Sequence, residues 1–119
     1  MVTVSELADP RLAKSAGEAA ELLSAMANPK RLMILCMLAN GEMPVNAIAS
    51  ALGASQALVS QHLARLRALK LVETRREAQT ISYRLASPEV RRIIATLAEI
   101  YCPRGAQLKA CRRPVPRGS

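Results

Sequence analysis

The sequence predicts a mainly α-helical fold carrying one small β-hairpin, and three observations lead there. Segment 54–84, ASQALVSQHLARLRALKLVETRREAQTISYR, changes its hydrophobic period partway along. Val59, Leu63, Leu66 and Leu69 recur at the three-and-four spacing of a helix packed by one side. Val72 and Thr74, then Ile81, Tyr83 and Leu85, alternate as strands do, with 77–80 between the two runs. The chain has no Phe or Trp and only two Tyr in 119 residues, so its core must be Leu, Ile, Val, Ala and Met, which suits helices. Two cap-and-proline pairs, Asn28-Pro29 and Ser87-Pro88, mark helix starts, because the side chain accepts from a free N–H and Pro lacks a donor there.

Taken in order, residues 1–10 carry little pattern and are expected to be a flexible N-terminus, and 11–102 are expected to form the folded domain. A helix is expected from Arg11, with Leu12, Ala16, Ala19, Ala20, Leu22, Leu23 and Met26 on a broad apolar face. Small residues in its first half permit close approach of another helix, which fits a contact with a second copy and fits an ordinary core helix. The helix from Pro29 runs to about Asn40 and stops at Gly41; Leu32, Met33, Leu35, Cys36, Met37 and Leu38 make it apolar nearly all round, so it belongs at the centre. Pro44 begins the next helix, whose stripe is Val45, Ile48, Ala49 and Leu52 and which ends at Gly53. A few residues separate it from the Ser55 helix, and two helices so joined make a helix-turn-helix. The last helix, after Ser87-Pro88, carries Val90, Ile93, Ile94, Leu97, Ala98, Tyr101 and Cys102 and is halted by Pro103. Residues 103–119 read as a disordered basic tail, and 115–119 resemble the scar of a protease-site tag.

The formal charge of +8 is unevenly spread: −2 over 1–27, +1 over 28–53, +4 over 54–84, 0 over 85–102 and +5 over 103–119. The excess sits on the helix-hairpin unit and the tail. On the unit's first helix, Gln56, Ala57, Ser60, Gln61, Ala64 and Arg67 oppose the apolar stripe. Amides and a hydroxyl can pair with base edges, and the small alanines allow close approach to a duplex. Arg75, Arg76 and Arg84 put cations on the hairpin, and a basic hairpin beside a groove-reading helix is the layout of a winged helix-turn-helix. No apolar run approaches the roughly 20 residues of a membrane span and no signal-peptide pattern is present, so the expected location is the cytoplasm. A thiol redox enzyme is disfavoured by the lack of a CxxC pair. No cofactor is implied.

With ANPKRLMIL, then IASALGASQALVSQHLARLRALKLVETRR, then ISYRL, the chain resembles the ArsR/SmtB family of bacterial winged-helix repressors over roughly residues 22–102. The resemblance implies a homodimer paired through its first and last helices, bound to a near-palindromic double-stranded operator. Gln56, Ala57, Ser60 and Gln61 would face bases, and Arg75, Arg76 and Gln79 would lie along the backbone or minor groove. Ala57 stands where many relatives have Ser, which removes one hydroxyl contact. The metal sites of such repressors use Cys at the start of the third helix or Asp and His on the last. Here those regions read EMPVNAIA and PEVRRIIATLAEIYC, without the ligands, and His62 is the only histidine.

Cys36, Cys102 and Cys111 remain. A free Cys is often just a small buried hydrophobe. The placement of Cys36 and Cys102, 66 residues apart on different helices, nevertheless resembles the sulfide-responsive SqrR/BigR-like branch of the family. That likeness implies a dithiol which persulfide or related reactive sulfur converts to a polysulfide or disulfide bridge, switching off operator binding. Cys111 is an accessory thiol at most in this reading. In the alternative, Cys102 and Cys111, with or without Cys36, bind arsenite or another soft ion.

Overall fold

The structure, a computed structural model, describes residues 10–102. The expectations for residues 1–9, for the tail 103–119 with its tag-like end, and for Cys111 lie outside the described residues. Within them the elements are α1 (Pro10–Lys14), α2 (Ala16–Met26), α3 (Pro29–Ala39), β1 (Met43–Pro44), α4 (Val45–Leu52), α5 (Gln56–Ala68), β2 (Val72–Glu77), β3 (Thr80–Leu85) and α6 (Pro88–Tyr101). The fold is mainly helical with a small antiparallel sheet, a winged helix-turn-helix.

Three expectations about the elements need correction. The single helix from Arg11 is α1 and α2, which begin at Pro10 and are interrupted at Ser15. The sheet has three strands, ordered β1-β3-β2, because Met43 and Pro44 pair with Tyr83 and Ser82. Pro44 therefore caps α4 from a strand rather than beginning the helix, and a two-residue strand is too short to show any period in sequence.

The centre is α3, as its all-round apolarity predicts: Ile34, Leu35, Met37 and Leu38 are buried, and the helix packs on α2, α4, β3 and α6. Its start is fixed by Asn28, whose Oδ1 accepts from the N–H groups of Lys30 and Arg31 at 3.0 and 3.1 Å. Ser87 does the same for α6, accepting from Val90 N–H at 3.1 Å. Two arginines close helix ends that sequence did not reveal. Arg31 Nε donates to the Ala25 carbonyl at 2.7 Å, holding the 94° corner between α2 and α3. Arg91 donates to the Ala39 carbonyl at 3.0 Å, tying α6 to the end of α3. By contrast α2 buries only Ala25 and Met26, and Leu12 and Leu23 stay 49% and 54% exposed. Among the described residues no single helix is long and apolar enough to cross a membrane.

Both helices of the helix-turn-helix end in the same hydrogen-bonded turn. Ala54 N–H reaches the Ala49 carbonyl at 3.0 Å with Gly53 at φ 66°, and Leu71 N–H reaches the Leu66 carbonyl at 2.9 Å with Lys70 at φ 64°. Glycine adopts that left-handed conformation freely, whereas a lysine Cβ crowds the backbone. Lys70→Gly is therefore expected to stabilise the fold by ~0.5–1 kcal/mol, read as a higher urea midpoint at unchanged slope.

Candidate nucleic-acid interface

The candidate recognition surface is built on α5. Ser55 starts it, its Oγ accepting from Leu58 N–H at 3.1 Å. Val59, Leu63 and Leu66 are wholly buried, and that anchoring turns the other face outward. Gln56, Ala57, Ser60, Gln61 and Arg67 are all exposed on it, so these predicted residues share one surface. Gln56 and Arg67 are eleven positions apart, about 16 Å along the axis, so the amides and the guanidinium address different parts of a duplex. His62 is half-buried, and its neighbour Leu58 is half-buried too. Burial first, then the positive charges of Arg31 and Lys30, lower its pKa from 6.5 and so favour the neutral imidazole. The start of α3 thus brings its cations near the recognition helix, a proximity that only the folded chain reveals.

Beside α5, β2 and β3 form the wing in the register Val72↔Leu85 through Glu77↔Thr80. The strands extend into the segment 77–80, and the turn is only Ala78-Gln79, with Ala78 at φ 58° where a two-residue hairpin favours glycine. Val72 and Leu85 face the core, while Ile81, expected to continue that stripe, is 39% exposed beyond it.

The wing's cations are not equivalent. Arg75 Nε donates to both oxygens of Glu42 at 3.0 Å, and Arg75 also pairs with Glu77 at 3.4 Å. Its hydrogen bond to Glu42, then the charges of Glu42 and Glu77, raise the pKa of its guanidinium. Arg84 pairs with Glu73 at 2.6 Å and with Glu42 at 3.7 Å. Among the described residues Arg76 has no carboxylate partner, and Gln79 is exposed at the tip. Glu42 is a site-organising residue that sequence reasoning missed. Its 33-residue separation from Arg75 leaves no local signal.

The cysteines are held differently from one another. Cys36, on α3, is a free, half-buried thiol, and burial pushes its pKa above 9.0. Cys102 follows α6 and is in a disulfide, not with Cys36. No three His, Cys, Asp or Glu side chains gather as a metal site among the described residues.

A helix-turn-helix that bares amides and a hydroxyl on its second helix, flanked by a β-wing, defines a winged-helix DNA-binding regulator rather than an enzyme. The model of bacterial regulatory proteins of the arsR family matches residues 28–74. The chain is 52% identical over 92 residues to the nodulation protein NolR of Rhizobium meliloti, covering 77% of this chain and 75% of that protein. The solved transcriptional repressor BigR from Xylella fastidiosa superposes with a TM-score of 0.74 at 36% identity, over 80% of this chain and 97% of that one. The homodimeric winged helix-turn-helix DNA-binding domain Mb0332 from Mycobacterium bovis, described as a possible ArsR-family regulator, gives 0.67 at 38% identity, over 77% and 85%. The chain belongs to the ArsR family of bacterial regulatory proteins.

Proposed function

We propose that the protein is a homodimeric transcriptional repressor that binds a near-palindromic operator and releases it when sulfur joins Cys36 to Cys102. The observation that carries the DNA half is the exposed face of α5, with Gln56, Ser60 and Gln61 set on a helix whose other side is fully buried. Likeness to the repressor BigR supports the sign of regulation, and likeness to the homodimeric Mb0332 supports the assembly. The bare apolar side of α1 and α2, with Ile100 and Tyr101 at the end of α6, suits pairing of first and last helices.

The trigger rests on the sulfide-responsive resemblance and on the positions of the two cysteines. Cys36 lies three residues before Ala39, whose carbonyl is bonded to α6 through Arg91, so the thiol helix and the Cys102 helix are packed together. In this reading a persulfide anion attacks Cys102 Sγ, expels the existing disulfide partner as a thiolate, and leaves its own two sulfurs on Cys102. The Cys36 thiolate then attacks the middle sulfur and expels the donor thiolate, giving a bridge with one added sulfur. Burial raises the pKa of Cys36 and so disfavours the thiolate that this step needs. The tied helices bias the dimer toward a form whose recognition helices no longer match grooves about 34 Å apart.

Operator-bound protein treated with a persulfide is expected to dissociate, with mass spectrometry showing sulfur added between Cys36 and Cys102. Cys36→Ser should stay bound; if it leaves DNA as the parent does, this trigger is wrong. The arsenite alternative draws on Cys111, outside the described residues, and no observation favours it.

A further inference from the structure

We propose that Glu42 silences Arg75, and together with Glu73 silences Arg84, as phosphate contacts, leaving Arg76 as the one wing guanidinium offered to DNA. The inference rests on the DNA-binding reading above and divides the wing's cations into two kinds. Side chains alternate across a strand, so Glu73, Arg75 and Glu77 of β2 share one sheet face with Arg84, Ser82 and Thr80 of β3. Glu42, placed immediately before β1, reaches that face from the far edge of the sheet. The face then holds two guanidiniums against three carboxylates, Glu42, Glu73 and Glu77, and is net negative. A phosphate approaching it meets repulsion, and it must displace a two-oxygen contact to engage Arg75.

The opposite face differs. Val72, Thr74 and Arg76 lie on it, with Leu85, Tyr83 and Ile81 across from them, so it is the face turned toward the helices where it is buried. Arg76 continues that face past the core, opposite Ile81, and pairs with no carboxylate among the described residues. Glu42 acts here as a positioning residue: it touches no DNA, and it decides which cations can.

The salt dependence of affinity counts phosphate contacts and is insensitive to a merely structural role. Binding to a short mixed-sequence DNA duplex is measured across about 50–200 mM salt for the parent, Arg76→Gln, Arg75→Gln, Glu42→Gln and the Glu42→Gln/Arg75→Gln pair. Arg76→Gln is expected to flatten the log–log slope by about 0.9 per wing, and Arg75→Gln to leave it unchanged. Glu42→Gln is expected to bind more tightly with a slope steeper by about 0.9 or more per wing, a gain that adding Arg75→Gln removes at least in part. A flattening by Arg75→Gln equal to that of Arg76→Gln overturns the proposal, as does an unchanged or shallower slope in Glu42→Gln. Circular dichroism of each variant verifies that the wing stays folded; were Glu42→Gln to unfold, the Arg75 and Arg76 comparison decides alone. A parent protein without salt-dependent DNA binding would sink the DNA reading itself, whereas a normal parent slope with the wrong variant order sinks only the role of Glu42.

Discussion

Leu63→Ala is expected to lower stability by about 2–5 kcal/mol, a large share of what a single small domain has. Leu63 is wholly buried on the inner side of α5, between Val59 and Leu66, which are equally inaccessible. Removing its isopropyl group leaves a cavity in a cluster whose fully buried members are all aliphatic or methionine side chains. The effect reaches function because α5 has one face for the core and one for the groove: a helix that rocks on its bed loses its aim. Urea unfolding followed by circular dichroism reads the loss directly. A cost under about 1 kcal/mol would mean that α5 is held by something other than this packing.

The double variant Gln56→Ala/Gln61→Ala is expected to do the opposite, leaving stability nearly untouched while removing sequence discrimination. Both amides are exposed and make no hydrogen bond within the described residues. A well-formed amide-to-base contact is worth about 1–3 kcal/mol of discrimination, so losing two should weaken binding to a selected site by roughly thirty-fold to ten-thousand-fold. Binding to mixed-sequence DNA, carried by the cations, should fall far less. The measurement is a competition of a site selected from a random library against bulk DNA, by fluorescence anisotropy. Equal weakening toward both DNAs would show that these amides do not read bases.

Much of this arrangement was legible before folding, and the reason is periodicity. Val59, Leu63 and Leu66 fixed the inner side of α5, and with it the outer side followed by geometry. Asn28, Ser55 and Ser87 declared helix starts because capping acts over two or three residues. What escaped was every pairing across the chain. Glu42 meets Arg75, Arg31 meets Ala25 around a corner, and Arg91 meets Ala39 from 52 positions away. Counting charge along the chain placed +4 on residues 54–84, yet Arg75 and Arg84 are matched by carboxylates in space. The free thiol of Cys36 and the disulfide at Cys102 were equally invisible, since spacing says nothing of oxidation.

Arg31 pins the corner between α2 and α3 like the brace of a carpenter's square, donating to the Ala25 and Ser24 carbonyls. Cys36 rides on one arm, and the bare Leu23 of the other arm projects into solvent. In the sulfur-triggered reading, a tilt of α3 would be passed through that corner to α2, whose outer end would move farther than the thiol itself. Under that reading, the corner alone would link the thiol to the surface proposed for pairing, with no relay of side chains between them.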